Sequence, residues 1–204
     1  MGILAEEALR ASRFLVHNIL TNPDFSDGTN GWTRVAGLQW SVDGDELVVT
    51  DMGTTGPHKV YRNTGSPSGN IKYLTVEMKS DSSQDGIRIG GTANIKRHSG
   101  SGQFERLSLI GSGSESIRIL DSSRNGDISA SPVRLRRALV IDLTATFGAG
   151  NEPSHEDMDA LLEQFPDAWF KGARNVFNAK YFMRMYFAKM RELENAITAI
   201  GGGS

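Results

Sequence analysis

The sequence predicts a mainly β fold, an antiparallel β-sandwich with one helix before it and further helices after it. Short runs rich in β-branched and aromatic residues recur between residues 38 and 143, each bounded by Gly, Ser, Thr or Asp. This spacing is typical of a sandwich or barrel. Apolar and polar residues alternate within several runs, which indicates one buried and one solvated sheet face. Both ends of the chain show helical periodicity instead.

The first predicted element is an amphipathic helix over residues 2–17. Its apolar positions are Leu4, Ala8, Ala11 and Leu15, which recur at steps of four, three and four residues. That spacing places them on one side of a helix. We assign residues 1–17 to this helix and residues 18–147 to the sandwich.

Eight strands are predicted within the sandwich, the first two joined by a hairpin turn at Asp43-Gly44. They span residues 38–42, 46–50, 58–62, 71–79, 86–90, 103–110, 116–121 and 132–143. In the last strand Arg134 and Arg136 alternate with apolar residues and are expected to point outward. Arg137 falls on the inward side of that pattern, so we expect this strand to lie at a sheet edge, where a charge can reach water.

The segment over residues 140–153, VIDLTATFGAGNEP, joins the last strand to a helix. Gly148 and Gly150 allow a sharp turn, and Pro153 prevents further sheet pairing. Ser154 is a predicted N-cap for a helix over residues 155–164, with Asp157 completing a capping box. This turn and helix make up residues 148–174. We interpret the two glycines as a structural turn, because Pro153 stands where a dinucleotide fingerprint needs its third glycine.

A final helix is predicted over residues 176–200, within a segment 175–204 that has a glycine-rich end. Its apolar residues repeat at steps of three and four, as in a coiled-coil seam, and Lys189 would face Glu194 of a parallel partner. Two interpretations remain open, self-association through this seam and packing of the helix against the sandwich. The predicted oligomerisation residues are Met183, Tyr186, Met190, Leu193, Ile197 and Ile200.

Composition restricts the function classes. The chain of 204 residues has a formal net charge of −2 and no Cys, which argues against nucleic-acid binding, disulfides and thiolate chemistry. The acidic and basic residues near the N-terminus interrupt any signal-peptide core, and no apolar run is long enough to span a membrane. We therefore expect synthesis in the cytoplasm and no membrane insertion.

No catalytic or metal-binding residues are predicted, and no cofactor is expected. The four histidines are scattered without metal-ligand spacing, and no Ser-His-Asp trio can be assembled from the sequence. Pairs of Asp residues lie in turns, where Asp is favoured for local hydrogen bonds. A calcium site in the loop that holds Asn22, Asp24, Asp27 and Asn30 is an open alternative.

Two segments resemble known proteins. The segment DLTATFGAGNEP, followed by Trp169-Phe170, resembles one that recurs in tail and baseplate proteins of bacteriophages and prophages. The opening segment over residues 18–32, NILTNPDFSDGTNGW, is similar to the start of carbohydrate-binding-like β-sandwich modules in those proteins. The resemblance implies a jelly-roll type of sandwich and a virion setting, and it implies no reaction.

Aromatic side chains are the candidate ligand contacts, because an aromatic face can stack on the C–H groups of a sugar. The predicted ligand-binding residues are Trp40, Tyr61, Arg62 and Trp32, and a core role for Trp32 is the competing interpretation. Arg88, Arg106 and Arg118 are expected on outer strand faces. Whether they form one row depends on strand order, which the sequence does not give.

The predicted function is that of a non-enzymatic structural component of a phage tail or baseplate, contributing to host-surface glycan attachment as an oligomer. The expected partners are two further copies of the chain in a homotrimer, other phage tail or virion proteins, and a host cell-surface glycan. The expected location is the virion. The alternative is a purely architectural connector or decoration protein without glycan binding.

Overall fold

A computed structural model of the chain describes residues 13–35, 37–51, 58–90, 94–114, 116–122 and 132–177. Within them the strands are β1 Arg13–His17, β2 Thr33–Arg34, β3 Leu38–Asp43, β4 Glu46–Asp51, β5 His58–Asn63, β6 Ile71–Lys79, β7 Gly86–Ile89, β8 Ile95–Arg97, β9 Phe104–Ser112, β10 Ser116–Ser122, β11 Val133–Asp142 and β12 Ala173–Phe177. The helices are α1 Leu143–Phe147, α2 His155–Leu162 and a 3₁₀ turn Pro166–Ala168.

Two five-stranded antiparallel sheets form the sandwich. One sheet has the order β3-β4-β11-β6-β9, and the other has the order β2-β5-β10-β7-β8. When the eight strands from β4 to β11 are numbered along the chain, the sheets read 1-8-3-6 and 2-7-4-5. This is the strand order of a jelly roll, so the predicted fold class is confirmed. Strands β1 and β12 form a separate two-stranded sheet.

The hydrophobic core lies between the two five-stranded sheets. Inward-facing residues of both sheets are fully buried there, among them Leu47, Leu74 and Leu135 of the first sheet and Ile87 and Ile117 of the second. Since side chains alternate along each strand, the outward residues of the same strands form two outer faces. Any ligand site on a sheet must be built from one of these outer faces.

By its internal contacts the chain divides into two compact units, Val16–Arg174 and Met1–Leu15 with Asn175–Ser204. The sandwich belongs to the first unit. None of the helices in the described ranges has the length and apolarity needed to cross a membrane.

The predicted N-terminal helix does not extend over Arg13–His17, which forms β1. Leu15 is exposed while Val16 is buried, and His17 is exposed while Asn18 is buried. That alternation has the period of a strand, so the helical prediction was wrong for these residues. Residues 1–12 of the predicted helix lie outside the described residues.

Strand β11 is central in its sheet, so the prediction of an edge strand was wrong. The register with β6 shifts between Arg136 and Leu139, and Arg137 adopts a positive φ of 54°. A bulge of this kind turns the following side chains by one position. Arg137 thereby reaches the outer face, where its guanidinium lies 3.0 Å from both Glu77 and Asp167.

The predicted cap of α2 is confirmed. The backbone N–H of Asp157 donates to the Ser154 hydroxyl oxygen at 3.2 Å, and the Ser154 hydroxyl donates to the Asp157 carboxylate at 2.8 Å. The final predicted helix was to begin near residue 176, but Val176 and Phe177 belong to β12. The rest of that helix, residues 178–200, lies outside the described residues.

Candidate functional site

Two of the predicted ligand-binding residues, Trp32 and Arg62, pack together at one end of the sandwich. Trp32 is 6% exposed, and its indole N–H donates to the carbonyl of Asn22 at 3.0 Å. The Arg62 guanidinium lies 5.9 Å from the centre of the Trp32 ring and donates to the carbonyl of Thr21 at 2.8 Å. Trp32 therefore packs in the core, as the competing interpretation of this residue had it. Arg62 joins strand β5 to the opening loop through the Thr21 carbonyl.

Trp40 lies on edge strand β3 and faces inward, where it covers the rim of the core. The guanidinium of Arg34, on β2, lies over its ring at 5.5 Å from the centroid. One ring face thus contacts a cation. A sugar that stacked on this face would have to displace Arg34.

Tyr61 lies on β5 in the other sheet and points outward. Residues of all five strands of this sheet stand opposite one another beside it, and the two central ones, Arg118 and Arg88, alternate with buried neighbours. This line, which we name the Tyr61 row, consists of Thr33, Tyr61, Arg118, Arg88 and Ile95. Four strand spacings make the row about 19 Å long, so it crosses the whole sheet.

Asp121 fixes the two arginines of the Tyr61 row. Its carboxylate accepts from Arg118 Nη1 at 2.5 Å and lies 3.8 Å from Arg88 Nη1. The Asp121 side chain is 9% exposed, whereas those of Arg88 and Arg118 are 26% and 21% exposed. The Asp121 side chain is therefore largely covered, and the two arginine side chains keep part of their surface in solvent.

A shallow depression of about 240 Å³ adjoins the row. It is lined by Val35, Lys59, Tyr61, Ser116 and Arg118. Apolar, hydroxyl and cationic groups converge here around one aromatic ring, which is the mixture that small polar ligands require of a binding site.

The outer face of the opposite sheet is occupied by its own side chains. Three arginines of β11 pair with carboxylates there, Arg134 with Asp43 and Glu46, Arg136 with Glu77 and Glu46, and Arg137 with Glu77 and Asp167. The guanidinium of Arg136 also covers the Phe104 ring at 3.9 Å. Arg106 lies on this sheet too, so it does not join Arg88 and Arg118.

A second part of this opposite face is covered by α2. The hydroxyl of Tyr73 donates to Asp159 Oδ1 at 2.5 Å, and Ser108 Oγ contacts His155 Nε2 at 2.9 Å. Ser108 also donates to Asp159 Oδ1 at 3.1 Å. Burial, reinforced by the neighbouring Asp159 carboxylate, raises the pKa of the Tyr73 hydroxyl. The network holds α2 on β6 and β9.

This grouping of Ser108, His155 and Asp159 was not predicted from the sequence. Its geometry differs from that of a hydrolase triad, because His155 Nδ1 is 3.7 Å from Asp159 Oδ2, beyond hydrogen-bonding distance. Ser108 donates directly to that same Asp159, and it lies within strand β9 opposite Thr75. In a hydrolase triad, by contrast, the hydroxyl of the nucleophile is hydrogen-bonded to the histidine, and the carboxylate holds that histidine.

The DLTATFGAGNEP segment forms an internal clip. Asp142 caps α1 through the backbone N–H of Ala145 and also accepts from Ser66 and Asn70. Thr144 accepts from the backbone N–H of Ile71 at 2.9 Å and donates to Glu152 at 2.7 Å. Asp142 is therefore bonded to the loop before β6, and Thr144 to the first residue of β6.

The opening segment is likewise structural. Asn18 is buried, donates to the carbonyls of Ala138 and Phe170, and accepts from the backbone N–H of Val140. The Asn22 side chain donates to the carbonyls of Gly28 and Asn30 and accepts from the backbone N–H of Asp27, which closes the 22–30 loop. Asp24, a candidate calcium ligand, pairs with Lys171 at 2.9 Å. Within the described ranges no three or more His, Asp or Glu side chains are grouped to hold a metal.

The predicted oligomerisation residues, Met183 to Ile200, lie outside the described residues. The structure therefore leaves the coiled-coil seam as a prediction from sequence.

No protein-family profile matches the sequence, and no curated protein matches it. Among solved structures, the chain is similar to the enzymatically active domain of tailspike protein 4 of bacteriophage CBA120, with 14% identity and a TM-score of 0.40 over 60% of this chain. It spans only 21% of that domain.

The chain is also similar to family 29 carbohydrate-binding modules. One has 15% identity and a TM-score of 0.38, with 63% of this chain and 88% of the module covered. Another, from Piromyces equi, has 17% identity and a TM-score of 0.37, with 64% and 90% covered.

Proposed function

We propose that this protein is a non-enzymatic glycan-binding component of a phage tail or baseplate, which attaches to host-surface glycans as an oligomer. The outer face that carries the Tyr61 row supports the proposal most directly. It combines an outward aromatic ring, a row of polar groups and an adjoining depression lined by Lys59, Ser116 and Arg118.

The chemistry of these groups suits a sugar. A ring face can pack on the C–H groups of a pyranose, while cationic and hydroxyl groups hydrogen-bond its oxygens. Asp121 fixes Arg118 in advance, which reduces the side-chain entropy that binding would otherwise cost. The depression is shallow, so each single contact is expected to be weak.

The distance between His155 and Asp159 supports the non-enzymatic part of the proposal, since the Ser108 grouping lacks triad geometry. The virion setting is supported by the resemblance of the DLTATFGAGNEP segment to phage tail and baseplate proteins. Weak contacts would become lasting attachment if several copies bound one surface, because each later contact is intramolecular.

The test is a comparison of glycan binding by the wild-type full chain and by three single-residue variants of it. Tyr61→Ala should weaken binding by about tenfold, the size expected for loss of one ring contact. Tyr61→Phe keeps the ring and should bind normally. Trp40→Ala, on the other sheet, should retain binding, and thermal unfolding shows whether each variant is folded.

Failure of the wild-type chain to bind any glycan, together with stable incorporation into particles, would favour the architectural alternative. Release of reducing sugar ends by the chain would contradict the non-enzymatic assignment.

A further inference from the structure

We infer that the ligand of the Tyr61 row is an acidic glycan, a sugar chain that carries an anionic group for Arg118 and Lys59. This inference rests on the proposed function and specifies its substrate class.

The side chains around Tyr61 carry more positive than negative charge. Lys59 and Arg118 stand there with a single carboxylate among the described residues, that of Asp121, which leaves a local excess of one positive charge beside Tyr61. The depression is lined by two cationic residues and by no acidic residue among those the structure describes. The chain as a whole has a net charge of −2, so this face is positive against an acidic background.

The opposite face provides an internal comparison. Its three β11 arginines are matched by four carboxylates, those of Asp43, Glu46, Glu77 and Asp167. The three arginines of that face are thus compensated. Lys59 and Arg118, beside Tyr61, have one carboxylate between them among the described residues.

Asp121 holds the Arg118 guanidinium in place without using all of its donors. It lies opposite Lys59 in the ladder and holds Arg118 at 2.5 Å, yet it is nearly covered. A guanidinium has five N–H donors, and this contact with Asp121 engages one end of the fork. The remaining donors of a fixed fork can bind a second carboxylate or another oxyanion.

Tyr61 lies directly opposite Arg118 in the β5–β10 ladder. Side chains at such positions are about 5 Å apart at Cβ, which places a stacking surface next to an anion-binding group. One residue of a sugar chain can therefore meet both groups, its ring on Tyr61 and its charged substituent on Arg118.

The test uses matched acidic and neutral probes with the full chain. Tetragalacturonate is compared with its methyl ester, and sulfated cellotetraose with plain cellotetraose. Binding of the acidic member should be about tenfold tighter in at least one pair. Binding of that acidic probe should weaken as NaCl rises from about 0.05 to 0.5 M. Preference for the acidic member in the galacturonate pair would indicate a carboxylate ligand, and preference in the cellotetraose pair would indicate a sulfate ligand.

Arg118→Gln should remove this preference. If that variant does not fold, Lys59→Gln, which changes a more peripheral cation, serves the same purpose. Lys79→Gln, an exposed cation of the opposite sheet, is the matched control and should bind as the wild type does.

Equal binding of both members of each pair, lost in Tyr61→Ala, would overturn the inference and leave the proposed function standing. An acidic preference that survives both Arg118→Gln and Lys59→Gln would also overturn it. Absence of binding to all four probes would count against the proposed function itself.

Discussion

At the scale of single residues, Glu105 is the carboxylate with the clearest electrostatic signature. The hydroxyls of Ser101 and Ser99 donate to it, as does the backbone N–H of Ser99 at 3.0 Å. These bonds, that of Ser101 first, lower the pKa of Glu105 from 4.5 to about 2. They favour the ionised form and order the loop before β9.

The lowered pKa of Glu105 predicts an acid-sensitive loop. Because the folded-state pKa lies below the unfolded one, this group stabilises the fold above pH 4.5, and that contribution is lost as the pH falls toward 2. An NMR titration of the Glu105 side chain should show its midpoint near 2.

Glu105→Gln should remove this part of the pH dependence of unfolding. Asp45→Asn, in the exposed β3–β4 turn, is the control and should leave it in place. A titration midpoint of Glu105 near the ordinary pKa of 4.5 would mean that the hydrogen bonds from Ser99 and Ser101 do not form in solution.

Arg137 shows what alternation alone cannot predict about one residue. The pattern placed its side chain inward, which would require an edge strand. A positive φ and a register shift resolve the conflict in another way. Bulges depend on the partner strand, here on Glu77 of β6, so the sequence of β11 alone does not reveal them.

At the scale of elements, helix α1 is held by Asp142. Although burial opposes ionisation, hydrogen bonds from Ser66, the Ala145 N–H and Asn70 lower the pKa of Asp142. The carboxylate thus serves as both N-cap and anchor for the loop before β6. Nearby, the buried Lys72 ammonium donates to the carbonyls of Pro67 and Asn70.

Asp142→Ala should lower the free energy of unfolding by about 3 kcal/mol. Loss of a cap costs about 1 kcal/mol, and leaving buried donors unsatisfied costs about 1–3 kcal/mol more. Ser154→Ala removes the cap of α2 alone and should cost about 1 kcal/mol. Denaturant unfolding measures both, and equal losses would contradict the anchoring role.

Eight strands were predictable because runs of β-branched and apolar residues stand between turn signals, and several of these runs also alternate with polar residues. Strands β2 and β8 were missed, since elements of two and three residues are too short to show a period. Strand β1 was missed because its apolar residues also fit a helical spacing. Pairing with β12, which lies far away in the sequence, favours the extended form instead.

At the scale of the whole molecule, the site was only partly predictable. Tyr61 and the outward directions of Arg88 and Arg118 followed from local pattern. Their assembly into one row needed the jelly-roll strand order, which places β7 beside β10 and β9 in the other sheet. The Ser108, His155 and Asp159 grouping was hidden for the same reason, because it forms only when α2 lies on β9.

The predicted seam over residues 183–200 implies that copies of the chain associate. Sedimentation equilibrium of the full chain should give a trimer, and Leu193→Glu should give a monomer, because a charge in the seam is costly to bury. Arg191→Gln, at heptad position b away from the seam, should keep the oligomer. A wild-type chain that stays monomeric at high concentration would contradict attachment through avidity.

Amide chemical-shift mapping of the isotope-labelled full chain, titrated with the tetrasaccharides, shows which face of the sandwich binds the glycan. The largest shifts should fall on Tyr61, Arg118 and Arg88 and on Lys59 beside them. Shifts centred instead on Trp40 and β3, or on the opposite sheet, would contradict this prediction.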